Sequence, residues 1–304
     1  MRNHTAITTF ILLGPTEDPR LQVLLFIFLF LTYMLSVTGN LTIITLTTVD
    51  PHLKTPMYFF LQNFSFLEIS FTTACVPRFL YSISTEDRTI AYNACAIQLF
   101  LTDLFGVTEF FLLATMSYDR YVAIYKPWHY TTIMSNKVCK TTVICCWMAA
   151  FMIILPPVSL GFKLCWNSVT LMSLIILVVM HLLFSCSDTW LIEQMVIVCA
   201  VLTLIITLMC VLLSYIYIIR TILRIPSAQQ RTKAFSTCSS HMVVVSITYG
   251  SHIFIYIKPS AKEEVNINKS VSVLISSISS MLNPFIYTPR NKQVKQAFND
   301  SIKK

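Results

Sequence analysis

Seven apolar segments, each long enough to cross a lipid bilayer, constrain this chain more than any other feature of its sequence. A membrane-spanning helix needs about 20 mostly apolar residues. Only 12% of the 304 residues are charged and 55% are hydrophobic, which is too little polar material to cover a water-soluble globule. The sequence therefore predicts an all-α integral membrane protein. Its spans are 23–48, 57–83, 95–121, 138–160, 193–220, 236–257 and 267–288.

An eighth apolar run, at 168–184, is excluded as a span by the charges of the loops. Cytoplasmic loops beside membrane segments collect Lys and Arg. With seven spans and an extracellular N-terminus, the basic block at 220–233 lies inside the cell, and an eighth span would move it outside. We therefore predict a seven-transmembrane helix bundle with a cytoplasmic C-terminus. Its parts are an extracellular segment 1–22, a membrane domain 23–288 with an apolar second extracellular loop 161–192, and a cytoplasmic tail 289–304.

Several classes of function are disfavoured by composition. The net charge is +8, but the basic residues fall in short blocks between apolar runs, which indicates membrane topology and not nucleic-acid binding. The chain has no HExxH helix, no phosphate-binding glycine loop and no GxSxG elbow, so we predict neither an enzyme nor a cofactor. A channel or transporter is disfavoured because the intramembrane charges are too few to line a path.

An acid-base pair, Asp119-Arg120, ends the third segment at the inner membrane face. Burying an Arg there is costly unless a neighbour pairs with it, so a lock that opens to offer Arg120 to a partner is one interpretation. The alternative is a pair of interfacial residues that reach toward water.

The pair belongs to a series of short motifs that covers nearly the whole chain. Through these motifs the chain resembles the odorant (olfactory) receptors, a rhodopsin-like branch of the G-protein-coupled receptors. Each motif alone is weak, but their joint order is specific. They are Gly39-Asn40, PMYFFL at 56–61, MSYDRYVAI at 116–124, Lys126-Pro127, His129-Tyr130, Ser214-Tyr215, KAFSTCSSH at 233–241, Tyr249-Gly250 and NPFIY at 283–287.

The resemblance implies a plasma-membrane receptor, surrounded by lipid, that binds a small volatile odorant outside and activates a heterotrimeric G protein of the olfactory stimulatory type inside. Pro284 kinks its helix, and in the family this is the hinge of activation. For Tyr215 the aromatic belt at the membrane interface is the competing interpretation. The residues implied in activation and coupling are Asp119, Arg120, Tyr121, Tyr215, His241, Tyr249, Asn283, Pro284 and Tyr287.

The family binds ligands between the outer halves of segments three, five, six and seven. A mostly apolar cavity with few polar groups suits a small volatile molecule. Asp103 favours an amine or a hydrogen-bond donor as ligand. Ordinary helix packing is the alternative for each residue. The candidate ligand-binding residues are Thr102, Asp103, Gly106, Val107, Cys199, Thr203, His252, Ile253 and Tyr256.

Two intramembrane carboxylates, Glu68 and Glu109, require partners because an acid at a helix centre costs about 2.5–3.5 kcal/mol. We expect them to form a polar network with Asn40 near Asn283. The pair resembles the sodium pocket of the superfamily. Glu109, Met116 and His241 also resemble a metal-sensitive site discussed for some odorant receptors. We predict a structural polar network and no dedicated metal site.

The run from Trp166 departs from the family pattern, which has an acidic loop with three cysteines, one of them joined to a cysteine that corresponds to Cys95. When suitable synonymous codons are chosen and read from the last base of the Trp166 codon, the run becomes Glu-Phe-Cys-Asp-Ser-Asn-Val-Ile-Asp-His-Phe-Ser-Cys-Asp-Ala. We therefore hypothesise a local frameshift that ends before Ser185. Cys186 or Cys165 remains as a partner for Cys95, and Asn3 is a glycosylation acceptor.

An apolar, untethered loop invites retention in the endoplasmic reticulum. The alternative function is therefore a pseudogene-like receptor that fails to fold or traffic. Sequencing the coding DNA tests the frameshift. Other departures are Tyr125 and Trp128 in place of Cys and Leu, and Pro289, which would end the last helix early.

Overall fold

A computed structural model of the protein describes residues 9–11, 18–85, 89–165, 190–257 and 277–287. Each of the first six predicted spans lies inside one long helix, and the described part of the seventh is helical. Two single turns of 3₁₀ helix, Pro51–Leu53 and Pro127–His129, lie between long helices. The helices are α1 Pro19–Val49, α2 Pro56–Thr85, α3 Tyr92–Tyr125, α4 Tyr130–Ile133, α5 Asn136–Cys165, α6 Trp190–Leu223, α7 Ala228–Ile257 and α8 277–287.

The central helix of the bundle is α3, which packs against α2, α5, α6 and α7, while α1 packs against α2. The largest fully buried side chains come mainly from α2 and α3 and include Phe60, Phe64, Leu112 and Leu113. Because α3 packs against four other long helices, its side chains can contact residues at both ends of the bundle.

The exposed face of α6 is apolar, unlike that of a helix in a water-soluble protein. Its buried face carries Thr203, Thr207 and Tyr215 at intervals of four and eight residues, which is one stripe of a helix. Ile205 and Ile206, on the outer face, are 51% and 56% exposed. Polar groups inside and large aliphatic groups outside are the arrangement that a lipid environment requires.

Four of the described helices are long and apolar enough by composition to cross a membrane: Pro19–Val49, Asn93–Tyr125, Asn136–Leu160 and Gln194–Leu223. The helix α2 is less apolar, in part because it buries the polar side chain of Glu68 in the bundle. The described part of α8 is only 11 residues long.

All six threonines of α1 satisfy their hydroxyl groups within the helix itself. Each donates a hydrogen bond to the carbonyl oxygen four residues earlier, at 2.7–3.0 Å, which hides the hydroxyl from lipid. They are Thr32, Thr38, Thr42, Thr45, Thr47 and Thr48.

A close backbone approach joins α1 to α8 at Gly39. A Cβ atom built on Gly39 would lie 2.9 Å from the Cβ of Pro284 and 3.0 Å from its Cγ. Only glycine fits this contact without a shift of one helix, which gives the Gly39-Asn40 motif a packing role.

A two-stranded antiparallel ladder, which the sequence did not indicate, pairs β1 (Thr9–Ile11) with β2 (Thr89–Ala91). Arg78 of α2 donates a hydrogen bond from Nη2 to the carbonyl oxygen of Thr89. Ile90 is buried in a small cluster with Cys95, at the start of α3. The N-terminal segment is thereby attached to the α2–α3 connection.

Candidate functional site

The Asp119-Arg120 pair forms a buried ion pair at the end of α3. Arg120 donates from Nη2 to Oδ2 of Asp119 at 2.7 Å, and the two side chains are 8% and 1% exposed. Tyr130 of α4 donates its hydroxyl to the other oxygen, Oδ1, at 2.8 Å. Burial and the neighbouring carboxylate raise the pKa of Tyr130, so the phenol stays protonated and remains a donor. Neither member of the pair reaches toward water, which favours the lock over the interfacial interpretation.

A second contact near this end joins α6 to α7. The hydroxyl of Tyr215 lies 2.5 Å from Nδ1 of His241, and the two rings stack at 5.9 Å between centroids. Both side chains are buried, and Arg120 and Tyr287 lie near enough to Tyr215 to interact with it electrostatically. The hydroxyl of Tyr287 is buried without a hydrogen-bond partner among the described residues. Tyr215 is therefore an interior residue and not part of an aromatic belt.

The intramembrane carboxylates have partners on α7 and α8. Asn283 donates from Nδ2 to Oε1 of Glu68 at 2.7 Å, and Thr248 donates to Oε1 of Glu109 at 3.4 Å. The two carboxylates are close enough to interact electrostatically. Asn40 instead donates to the carbonyl of Ser36 on its own helix at 2.9 Å. The structure thus joins Glu68 and Glu109 to the network but gives Asn40 no hydrogen bond to either acid.

No metal centre is evident in the described part of the chain, where no group of three or more His, Cys, Asp or Glu side chains is arranged to hold an ion. Met116 and His241 are both buried. Nδ1 of His241 forms a hydrogen bond with the hydroxyl of Tyr215.

The predicted ligand residues of α3 divide into two groups. Thr102 is buried against α2, where its Oγ1 lies 3.4 Å from the Sγ of Cys75, and it donates to the carbonyl of Gln98 at 2.8 Å. Asp103, Gly106 and Val107 are half-buried. The half-buried part of the predicted ligand face therefore begins at Asp103, and Thr102 packs against α2.

The predicted ligand residues of α6 and α7 lie on the inner faces of those helices. Thr203 is buried and donates to the carbonyl of Cys199 at 2.7 Å, while Cys199 is half-buried. His252 and Ile253 are half-buried, whereas the side chain of Tyr256 lies outside the described residues.

Phe110, which the sequence reasoning missed, contacts two residues of the candidate site. Its ring lies 5.2 Å from that of Tyr249 and 4.8 Å from that of His252, edge to face in both cases. It follows Gly106 by four residues, so the helical spacing of the ligand face was a signal that could have found it. Tyr130 was missed for a different reason, since it reaches Asp119 from a separate helix.

Several predictions fall outside the described residues. Cys95 is 3% exposed, but both of its candidate partners, Cys165 and Cys186, have side chains outside the described set. The same holds for Asn3 and for the hypothesised frameshift at 166–184. Pro289 lies beyond the last described residue.

The departures at the end of α3 are exposed aromatic side chains. Tyr125 stacks on Tyr121 at 5.2 Å between ring centroids, and Tyr121 also contacts Tyr217 of α6 at 5.8 Å. Trp128 is 93% exposed.

The bundle, its buried Asp-Arg pair and its polar interior define a rhodopsin-like seven-helix receptor. The structure is similar to the crystal structure of squid rhodopsin, with a TM-score of 0.72 at 18% sequence identity over 97% of this chain and 90% of that chain. This likeness shows the fold.

Sequence comparisons show the family. The family model described as olfactory receptor matches residues 29–304. Human olfactory receptor 6C68 is 76% identical and human olfactory receptor 6C2 is 71% identical, each over 307 aligned positions that cover 100% of this chain and 98% of the relative. The chain belongs to the olfactory receptor family. It is a non-enzymatic, multi-pass membrane receptor for odorants that couples to a G protein, as the sequence predicted. Nothing in the described residues or in the comparisons favours the pseudogene-like alternative.

Proposed function

We propose that the receptor binds a small volatile ligand between α3, α6 and α7 and signals through a G protein of the olfactory stimulatory type. The proposal depends on one observation: α3 carries residues of both the candidate ligand site and the ion pair. Phe110 contacts α7 at Tyr249 and His252, and Arg120 lies ten residues further along the same helix. Ten residues of α-helix span about 15 Å, so one rigid element separates the ligand face from the ion pair.

The helix α7 supplies the movable element in this proposal. His241 and Tyr249 are eight residues apart on one face of α7, so a ligand that displaces the Tyr249 and His252 rings also displaces His241. His241 is bonded to Tyr215, close to Arg120. Binding in the outer half thereby changes the surroundings of the ion pair.

Opening of the ion pair is the proposed signal. When Arg120 leaves Asp119, Tyr215 and the unpaired hydroxyl of Tyr287 offer it acceptors on α6 and α8. Pro284 removes a backbone hydrogen bond from α8, and we assign the hinge of that helix to this position. The hydrogen bond from Tyr130 to the Asp119 carboxylate stabilises the closed pair, which we assign to the resting receptor.

We place the ion-pair end in the cytoplasm and the β1–β2 ladder outside, in the plasma membrane. This orientation is supported by the basic residues Lys126, Lys137, Lys140 and Arg220, which cluster at the ion-pair end. The same proposal includes glycosylation at Asn3 and a disulfide from Cys95 to Cys186 or Cys165. It also includes retention in the endoplasmic reticulum when the second extracellular loop misfolds.

The experiment is a cAMP assay in cells that express the full chain with an N-terminal epitope tag. At equal surface level, Arg120→Ala should abolish the response to an odorant mixture. Arg20→Ala, an exposed arginine at the opposite end, should respond like the unmodified receptor. A full response by Arg120→Ala, or no cAMP rise from surface-expressed unmodified receptor, would contradict the proposal.

A further inference from the structure

A stripe of three residues on α3 forms one wall of the proposed ligand site. Asp103, Gly106 and Phe110 are spaced by three and four residues, which puts them on one side of the helix over about 10 Å of its axis. A Cβ atom added to Gly106 would meet no described heavy atom within 4 Å. The stripe therefore has a carboxylate at one end, open space in the middle and an aromatic ring at the other end.

The aromatic end continues onto α7. Phe110 packs edge to face against Tyr249 and His252. Nδ1 of His252 lies 2.8 Å from the carbonyl oxygen of Thr248. A carbonyl oxygen only accepts, so Nδ1 carries a proton, and the free nitrogen of a neutral ring is an acceptor.

Three threonine hydroxyl groups around this site donate their protons to other groups, whereas the buried hydroxyl of Tyr249 has no hydrogen-bond partner among the described residues. Thr102 donates to the carbonyl of Gln98, Thr203 to that of Cys199, and Thr248 to the carboxylate of Glu109. The polar groups left to a ligand are the Tyr249 hydroxyl, the free nitrogen of His252 and the Asp103 carboxylate, of which the carboxylate is the strongest acceptor. A ligand complementary to this lining must supply hydrogen-bond donors.

The Asp103 carboxylate has no hydrogen bond or ion pair with any residue in the described ranges. Among the residues of the outer half whose side chains the structure describes, the basic ones are Arg20 and Arg78. Arg20 is exposed on the first turn of α1. Arg78 donates to the carbonyl of Thr89, and its guanidinium lies 5.0 Å from the ring centroid of Tyr81. A half-buried carboxylate in a mostly apolar wall is stabilised most by a cation that brings its own donors.

We propose that the ligand of this site is a small protonated amine, whose ammonium group pairs with Asp103 and whose hydrocarbon part fills the space at Gly106 against Phe110. The inference rests on the proposed function, because it assigns the chemical class of ligand to the same site. An aliphatic ammonium has a pKa of about 10.4 and is charged at neutral pH. A carboxylic acid brings no cation to Asp103 and should therefore bind less tightly than the amine.

The test is thermal unfolding of the purified full-length receptor with three probes that share one hydrocarbon ring: cyclohexylamine, cyclohexanol and cyclohexanecarboxylic acid. We expect the amine to raise the unfolding temperature most and the acid least. Asp103→Asn should weaken amine binding about ten- to a hundredfold, the value of a hydrogen bond to a charged group, and change alcohol binding little. Asp18→Asn is the matched control, because it removes an exposed carboxylate and asparagine still caps α1.

The probe ranking on the unmodified receptor needs no variant, so poor folding of Asp103→Asn leaves the test intact. The inference is overturned if the alcohol or the acid stabilises the receptor as much as the amine does. It is also overturned if no probe stabilises the receptor. Binding is read without a G protein. Amine binding without a cAMP response therefore refutes the proposed coupling alone, whereas a cAMP response to neutral odorants without amine binding refutes the ligand class alone.

Discussion

Replacing Gly39 with alanine should destabilise the receptor through a single contact between α1 and α8. The added Cβ would lie 2.9 Å from the Cβ of Pro284 and 3.0 Å from its Cγ. Carbon atoms pack best at about 3.5–4.0 Å, so the two helices must separate locally by roughly 0.5–1 Å. The proline ring has no rotamer that moves it aside, so the shift falls on the backbone.

The expected cost follows from two opposing terms. Overpacking of a tight interior costs about 1–3 kcal/mol, and alanine regains about 0.5–1 kcal/mol over glycine inside a helix. Displacing Pro284 also disturbs its neighbour Asn283, which donates the 2.7 Å hydrogen bond to Glu68. We therefore expect a net loss of about 1–2 kcal/mol.

Thermal unfolding of the purified full-length protein measures the loss, which should lower the unfolding temperature by a few degrees. Gly250→Ala is the matched control, because Gly250 is exposed on α7 and a Cβ there meets no described atom within 4 Å. That variant should be as stable as the unmodified protein or slightly more stable. A Gly39→Ala variant that unfolds no earlier than the Gly250→Ala variant would refute the packing argument.

Three further predictions concern polar contacts. Tyr130→Phe removes the donor to the Asp119 carboxylate and should raise ligand-free cAMP, normalised to surface level, several-fold; an unchanged basal level would show that this bond does not hold the resting state. Glu68→Leu leaves the amide of Asn283 unpaired and should cost about 1–3 kcal/mol in thermal unfolding, and Glu68→Gln, which keeps an acceptor, should cost less; equal losses would argue against the bond. Arg78→Met should speed amide hydrogen exchange in the β1–β2 ladder, and identical protection in the variant would rule out a role for the arginine there.

The positions of the helices were predictable because lipid imposes both a length and an apolar composition on each span. Their ends were less predictable. The helix α7 begins at Ala228, eight residues before the predicted start of its span, because backbone hydrogen bonding continues into water where the apolar signal stops. The β1–β2 ladder was missed because three-residue strands carry no periodicity long enough to recognise.

Contacts in the site were predictable where a buried polar group requires a hydrogen-bond partner. A buried acid needs a donor, and Glu68 finds one on a residue 215 positions away, which the sequence indicated only through the resemblance. Helical spacing identified a face of α3 but not what that face meets, and Thr102 on that face packs against Cys75. Tyr130 was missed because its contact with Asp119 depends on how two separate helices meet.

The threonines of α1 bear on the order in which the receptor can assemble. Because every one of their hydroxyl groups is bonded to its own helix, α1 can enter the bilayer and stay there before any neighbour exists. The helices α2 and α8 differ, since the Glu68 carboxylate and the Asn283 amide satisfy each other across the bundle. During synthesis the receptor therefore holds an unsatisfied acid in the membrane until its last helix arrives, and the final span completes the interior.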